Sequence, residues 1–199
     1  MIVVAIVRQN FEEQLSELQQ DILRMSSIVE DMIRTGMHSL VHRDPEAANR
    51  AIQMDDLVDD LNLRIEDLCI HLLAKQQPMA RDLRQIAGAL KIITDIERMG
   101  DYSVDLAKMS IRLIDSPSSQ PLVKLQRMSE IVIRMIRETL QAFVQRDLEL
   151  VQCMIDGDDE VDRLNREVHS EMLVQMQNNP VHSETWIGIL LMSRMLERI

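Results

Sequence analysis

Asp-Asp-Leu-Val-Asp-Asp-Leu-Asn at residues 55–62 returns as Asp-Asp-Glu-Val-Asp-Arg-Leu-Asn at residues 158–165, an offset of 103 residues (55 to 158). Around this pair, His-Arg-Asp (42–44) aligns with Gln-Arg-Asp (145–147) and Gln-Gln-Pro (76–78) with Asn-Asn-Pro (178–180). Ile-Glu-Arg-Met (96–99) aligns with Leu-Glu-Arg-Ile (196–199). A period of this length marks a tandem duplication, so the 199 residues read as two similar units in series. What the two copies share most closely is acid at helical spacing.

Working outward, composition fixes the class of each unit. Hydrophobic residues make up 46% of the chain but aromatics only 2%, and there are five glycines, five prolines and fifteen methionines. A core with so few rings must be built from aliphatic side chains on helices, with methionine as filler, which predicts an all-α protein. A formal charge of −11 repels phosphate backbones and anionic lipid, so no nucleic-acid partner is expected. The opening Met-Ile-Val-Val-Ala-Ile-Val lacks a cationic lead and is too short to span a bilayer. A cytoplasmic location is expected, peripheral to a membrane only through partners. Cys69 and Cys153 fall at non-equivalent positions without a Cys-x-x-Cys motif and read as reduced, buried thiols.

Apolar residues at Phe11, Leu15, Leu18, Ile22, Met25, Val29 and Met32 alternate steps of four and three, the seam of a long packed helix ending near His42. Asp44-Pro45 is a cap and first-turn pair, because the carboxylate accepts orphan amide hydrogens and proline has none to satisfy. A second helix then carries the seam Ala51, Met54, Val58, Leu61, Ile65, Leu68 and Leu72 and closes at Pro78. A third runs from about Met79 to Asp115 on Leu83, Ile86, Leu90, Ile93, Glu97, Gly100, Val104, Ala107, Ile111 and Ile114. After a linker at 116–121 the pattern repeats, with helices near 122–146, 147–178 and from 181 onward. The expected architecture is two antiparallel three-helix bundles, residues 1–115 and 122–199.

One seam residue is out of place. Glu97 stands where an aliphatic residue belongs, and Asp101 follows one turn later on nearly the same face. Asp55 and Asp59 form a second pair. If the helices fold back about Pro78, Asp59 and Glu97 lie nineteen residues either side of the turn, and Asp55 and Asp101 twenty-three. At about 1.5 Å per residue, both arms then carry their acids to the same height, about 28–35 Å from the turn. In the second half Asp162 and Glu197 are equidistant from the Asn179–Pro180 bond, while Asp158 faces a point two residues beyond Ile199.

Four carboxylates in a mostly apolar groove need cations among them, and oxygen-only donors favour hard ions such as magnesium, manganese, calcium or ferric iron. The competing reading is a set of solvated i,i+4 acids, or acids paired with Arg64 or Arg98. Catalytic signatures are missing: none of His38, His42, His71, His169 or His182 has a glutamate three residues before it, and no phosphate loop, nucleophile elbow or Cys/His pair is present. The five histidines read as surface or helix-end residues. Gly100, inside a helix, reads as permitting a close helix approach or access for an ion.

Glu-Arg-Met-Gly-Asp (97–101), Gln-Gln-Pro-Met-Ala-Arg-Asp-Leu-Arg (76–84), the duplicated Asp-x-x-x-Asp segments and the duplicated three-helix layout together resemble the PhoU family of phosphate-specific transport accessory proteins, over nearly the whole chain. The resemblance implies a cytoplasmic, often dimeric regulator rather than an enzyme. It implies a PstB-type transporter ATPase and a PhoR-type sensor histidine kinase as partners, with the phosphate regulon held off and phosphate uptake restrained. It also implies iron, zinc or manganese on the acidic motifs, here Asp55, Asp59, Glu97 and Asp101 in the first half and Asp158, Asp162 and Glu197 in the second. Asp105 stands where many members carry asparagine and adds a fifth acid to the first site. Members commonly continue past the second Glu-Arg-Ile with Gly-Asp, so the second site is expected to be incomplete and metal to be better ordered in the first bundle. Two rivals follow from the residues alone: a carboxylate-bridged metalloenzyme, and a purely structural, spectrin-like helical repeat.

Overall fold

In the computed structural model, residues 2–76, 78–115, 121–145 and 150–199 are described. They form seven α-helices: α1 (Ile2–His42), α2 (Pro45–Gln53), α3 (Asp55–Gln76), α4 (Ala80–Arg112), α5 (Pro121–Gln145), α6 (Leu150–Asn178) and α7 (Ser183–Arg198), with a single 3₁₀ turn at Pro180–His182. No strand occurs among the described residues, and no described helix is long and apolar enough to cross a membrane. The all-α, tandem-bundle architecture expected from the repeat is the one observed.

The seam of α1 is buried as its spacing requires: Leu18, Ile22, Met25, Val29 and Met32 are each at most 1% exposed. Complete burial of one such side chain contributes roughly 1.5–3 kcal/mol before chain entropy is counted. In the first bundle α1 packs on α3 and α4; in the second, α5, α6 and α7 pack on one another. The two join through α1 against α5 and α4 against α7, so one continuous core of buried residues runs through both. Fifteen methionines serve that core in part, with Met25, Met32, Met128, Met172 and Met192 completely enclosed.

Ion pairs between side chains help to fix the relative positions of the helices. Asp21 on α1, 7% exposed, receives Arg64 of α3 at 2.9 Å, and the same guanidinium reaches Glu17 at 2.7 Å. Glu30, 8% exposed, bonds Arg137 of α5 at 2.5 Å across the join between the bundles. Lys124 of α5 meets Glu167 and Glu171 of α6. Arg64 is thereby committed to α1, not to the Asp55 and Asp59 pair.

The corner after α1 forms as read. Asp44 caps α2, its Oδ1 accepting from the Ala47 amide at 3.1 Å, and that bond holds the carboxyl below the usual aspartate range. The Asp44 amide donates to Ser39 O at 3.0 Å, and Arg43 takes a left-handed conformation, φ 55°, to make the reversal.

The long second helix expected from Pro45 onward is instead broken at Met54. The Met54 amide donates to both Arg50 O and Ala51 O, and Leu57 restarts on Met54 O at 3.1 Å. The reason lies in the alanines. Ala47, Ala48 and Ala51 are fully buried, and Ala48 and Ala51 pack with Ala107 of α4, which brings α2 close to that helix. A one-residue break preserves the three-and-four spacing, so periodicity does not reveal it. Leu83, placed on the α4 seam, is 46% exposed, and α4 ends at Arg112, three residues before Asp115. The 3₁₀ turn into α7 is tied by the Trp186 indole N–H donating to Asn179 O at 3.3 Å. The start of the helix expected from 147, most of the 116–121 linker and the Cys153 side chain lie outside the described residues.

Candidate functional site

The first-half acids stand on α3 and α4, which meet beside Gly100. A methyl at Gly100 would sit 3.4 Å from Val58 Cγ1, 3.6 Å from Asp55 Oδ1 and 3.9 Å from Val29 Cγ2. The first turn of α3 therefore lies directly against the middle of α4, in ordinary van der Waals contact. A methyl would fit at these distances, so the packing of α3 on α4 does not by itself require glycine here.

Along α4, Asp101 and Asp105 are one turn apart and exposed. Together with Asp55 they line an open groove of about 370 Å³, completed by Arg98, Tyr102, Val104 and Lys108. Asp55 is half-buried, and its carboxyl titrates above the usual aspartate range. Desolvation is the largest cause, followed by the charges of Asp59, Asp101 and Asp56, with Lys108 acting in the opposite direction. Glu97 is half-buried and Asp59 exposed, and neither lines this groove. The fold thus brings together Asp55, Asp101 and Asp105 of the expected set. Tyr102 and Lys108 were not singled out from the sequence, although Lys108 continues the i,i+3 and i,i+4 spacing of the acids.

In the second half Asp158 and Glu197 line a cavity of about 280 Å³ among α4, α5, α6 and α7. Asp95 of α4 lines it too, an acid missed because register within one bundle says nothing about a neighbour across the join. Asp162 is exposed and outside this cavity. Glu197 has two cations beside it, Arg194 at 2.9 Å and Arg198 at 3.8 Å from Oε2, as ion pairs without a hydrogen bond to that enclosed oxygen.

The donor chemistry of the first groove, oxygen only and with one carboxylate displaced toward protonation chiefly by burial and next by neighbouring charges, suits a hard cation. Lys108 and Arg98 share that groove. Among the described residues, no group of three or more His, Cys, Asp or Glu is already gathered tightly enough to hold an ion. Binding there calls for side-chain rotation, which is open to the exposed Asp101 and Asp105. Cys69 is buried and free, its thiol pushed up to about 11, chiefly by burial, which makes it a poor ligand and nucleophile.

Comparison with known proteins gives one consistent family. The PhoU domain model matches residues 22–110 and 125–199. A phosphate-specific transport system accessory protein PhoU homolog from Clostridium acetobutylicum is 36% identical over 195 residues, 98% of this chain and 89% of that protein. Its counterpart from Aquifex aeolicus is 33% identical, covering 94% and 84%. The crystal structure of PhoU from Pseudomonas aeruginosa superposes with a TM-score of 0.89 at 28% identity, covering 94% of this chain and 90% of that one. The phosphate transport system regulatory protein PhoU from Streptococcus pneumoniae gives 0.84 at 25%, covering 94% and 88%. These relatives are named as accessory and regulatory proteins, which sets aside the metalloenzyme reading, and the match in both halves sets aside an unrelated structural repeat. With its family model spanning both bundles, the chain belongs to the PhoU domain family.

Proposed function

We propose that this protein is a cytoplasmic, non-enzymatic accessory protein of a phosphate-specific transport system, working by contact. In this reading it couples a PstB-type transporter ATPase to a PhoR-type sensor histidine kinase, restrains phosphate uptake and keeps the phosphate regulon off. The observation that carries the reading is the PhoU domain match across both halves, together with relatives covered over most of their length. Long helices joined by short turns offer broad, stable surfaces, and a charge of −11 favours basic partner faces. A homodimer is part of the proposal.

The acidic groove supplies the ligand-dependent element. A hard cation held by Asp55, Asp101 and Asp105, with Asp59 and Glu97 nearby, would offset the burial and the repulsion that raise the Asp55 carboxyl. Iron, manganese, zinc and magnesium are the ions proposed, with the oxygen donors favouring the harder of them. In the second half, Asp158, Asp162 and Glu197 are the corresponding acids, and the arginines on Glu197 make that half the weaker binder.

The test is co-purification of the tagged protein with the matched ATPase and kinase, alongside a phosphate-regulon reporter in a deletion strain. The expected result is capture of both partners and a reporter that is on in high phosphate until the gene is restored. A reporter that stays off in the deletion strain, with neither partner captured, would remove the reading.

A further inference from the structure

At the opposite end of α1 from its first residues, two histidines lie outside everything used above. His38 and His42 are four apart on the last turns of the helix, both exposed, with ring centroids 4.0 Å apart and planes inclined by 19°. Imidazoles at i and i+4 stand on one face, so both rings project from the same patch of surface.

The ring nitrogens are not equivalent. His42 Nδ1 lies 3.2 Å from the His38 carbonyl oxygen. A carbonyl only accepts, so the proton sits on Nδ1, and the lone pair of His42 is left on Nε2. That backbone bond is the support that metal-ligating histidines typically use to fix tautomer and ring orientation.

The surroundings add rigidity and sign. The corner beyond His42 is held by Asp44 N donating to Ser39 O at 3.0 Å and by the Asp44 cap on α2. The rings stack nearly parallel, so their lone pairs lie in separate planes; for both to meet one ion His38 must turn out of the stack, a rotation open to an exposed side chain. The C-terminal end of α1 carries the negative pole of its backbone dipoles, and the whole chain carries −11, so a cation is favoured there.

We propose that His38 and His42 form a chelating site for a borderline divalent ion of the zinc class, with remaining positions open to water or an outside donor. Two neutral imidazoles select zinc, nickel or copper over the hard ions suited to the carboxylate groove. The two sites therefore differ in position and in metal class. A zinc-class ion would clip the last turn of α1 and leave coordination positions facing solvent.

The experiment is zinc binding by equilibrium dialysis on the intact protein, with copper(II) as a spectroscopic probe. The wild type is expected to hold one equivalent more zinc than a His38→Gln, His42→Gln variant, and the Asp55→Asn, Asp101→Asn variant to keep that equivalent. Each single histidine change should weaken the site at least about tenfold, since even loss of an outer-shell partner costs that much. Pulsed EPR of the copper-loaded wild type should show two coordinated imidazoles. Equal zinc content in the wild type and the histidine double variant, or a copper centre with fewer than two imidazoles, would overturn the proposal. Both side chains are solvent-exposed, so helicity by circular dichroism should stay unchanged and the variants report on binding alone.

Discussion

The two bundles carry the same glutamate in the same Glu-Arg pair, yet treat it differently. Glu197 lies beside two cations, Arg194 and Arg198. At the matching places in the first half stand Thr94 and Arg98: Thr94 turns its hydroxyl back to Leu90 O at 3.1 Å, and Arg98 lines the groove beside Asp101. No ion pair to Glu97 forms among the described residues. The lesson is that one duplicated acidic motif has diverged through its neighbours. The second copy sets its acid beside the chain's own cations, while the first leaves a cluster in which burial first, and the charges of Asp59, Asp101 and Asp56 next, lift Asp55.

The same divergence reaches the helix contacts, and the largest expected effect lies there. Gly88 and Gly188 occupy matching positions nine residues before the two glutamates. A methyl at Gly88 would rest 3.4 Å from the Phe143 ring, in ordinary contact, whereas at Gly188 it would come within 2.7 Å of Leu113, a buried side chain. Gly188→Ala should destabilise by about 1–3 kcal/mol through overpacking. Gly88→Ala should be neutral or gain up to about 1 kcal/mol from helix propensity. Denaturant midpoints check the pair, and equal effects would erase the distinction.

A second asymmetry concerns the matched asparagines. The single proton of the buried Ser193 hydroxyl is shared between Asn165 Oδ1 and Leu190 O, each at 2.9 Å. In the first half Ile93 stands at the serine position, and Asn62 Oδ1 is enclosed without a partner. Ser193→Ala should cost about 1–3 kcal/mol by orphaning Asn165, while Asn62→Leu should cost nothing or stabilise, because it removes an unpaired acceptor. Thermal unfolding of the two variants side by side decides this.

The smallest effect concerns pH. Because the folded-state pKa of Asp55 is raised above 3.8, the folded protein holds that proton more tightly than the unfolded chain does. Its charged form therefore lowers stability at neutral pH, and the penalty disappears as pH falls through the folded value toward 3.8. In metal-free protein, Asp55→Asn should raise stability at pH 7 by less than about 1 kcal/mol, since the group is partly solvated and salt-screened. The gain should vanish near the unfolded value. Urea melts at a series of pH values give the slope, and a loss of stability at pH 7 would contradict the assignment.

Much of this was legible in the residues because helical periodicity and duplication are strong signals. The seam of α1, the Asp44-Pro45 corner and the reversal at Pro78 all follow from spacing and capping chemistry. The break at Met54 did not, since it leaves the three-and-four pattern intact and goes with Ala48 and Ala51 of α2 packing on Ala107 of α4. Counting residues from Pro78 placed Asp55 beside Asp101, but it could not say that Glu97 and Asp59 lie outside their groove. Pairing register fixes height along a helix, not rotation about it. The cations on Glu197 were equally hidden, because no spacing rule states which of several arginines will turn inward.

The divergence of the two acidic copies is most directly tested by metal stoichiometry, measured element by element after exposure to manganese and iron(III). Asp55→Asn, Asp101→Asn should lose the bound hard cation, while Asp158→Asn, Glu197→Gln should bind as much as the wild type. Equal loss in both variants, or binding untouched in both, would contradict the account.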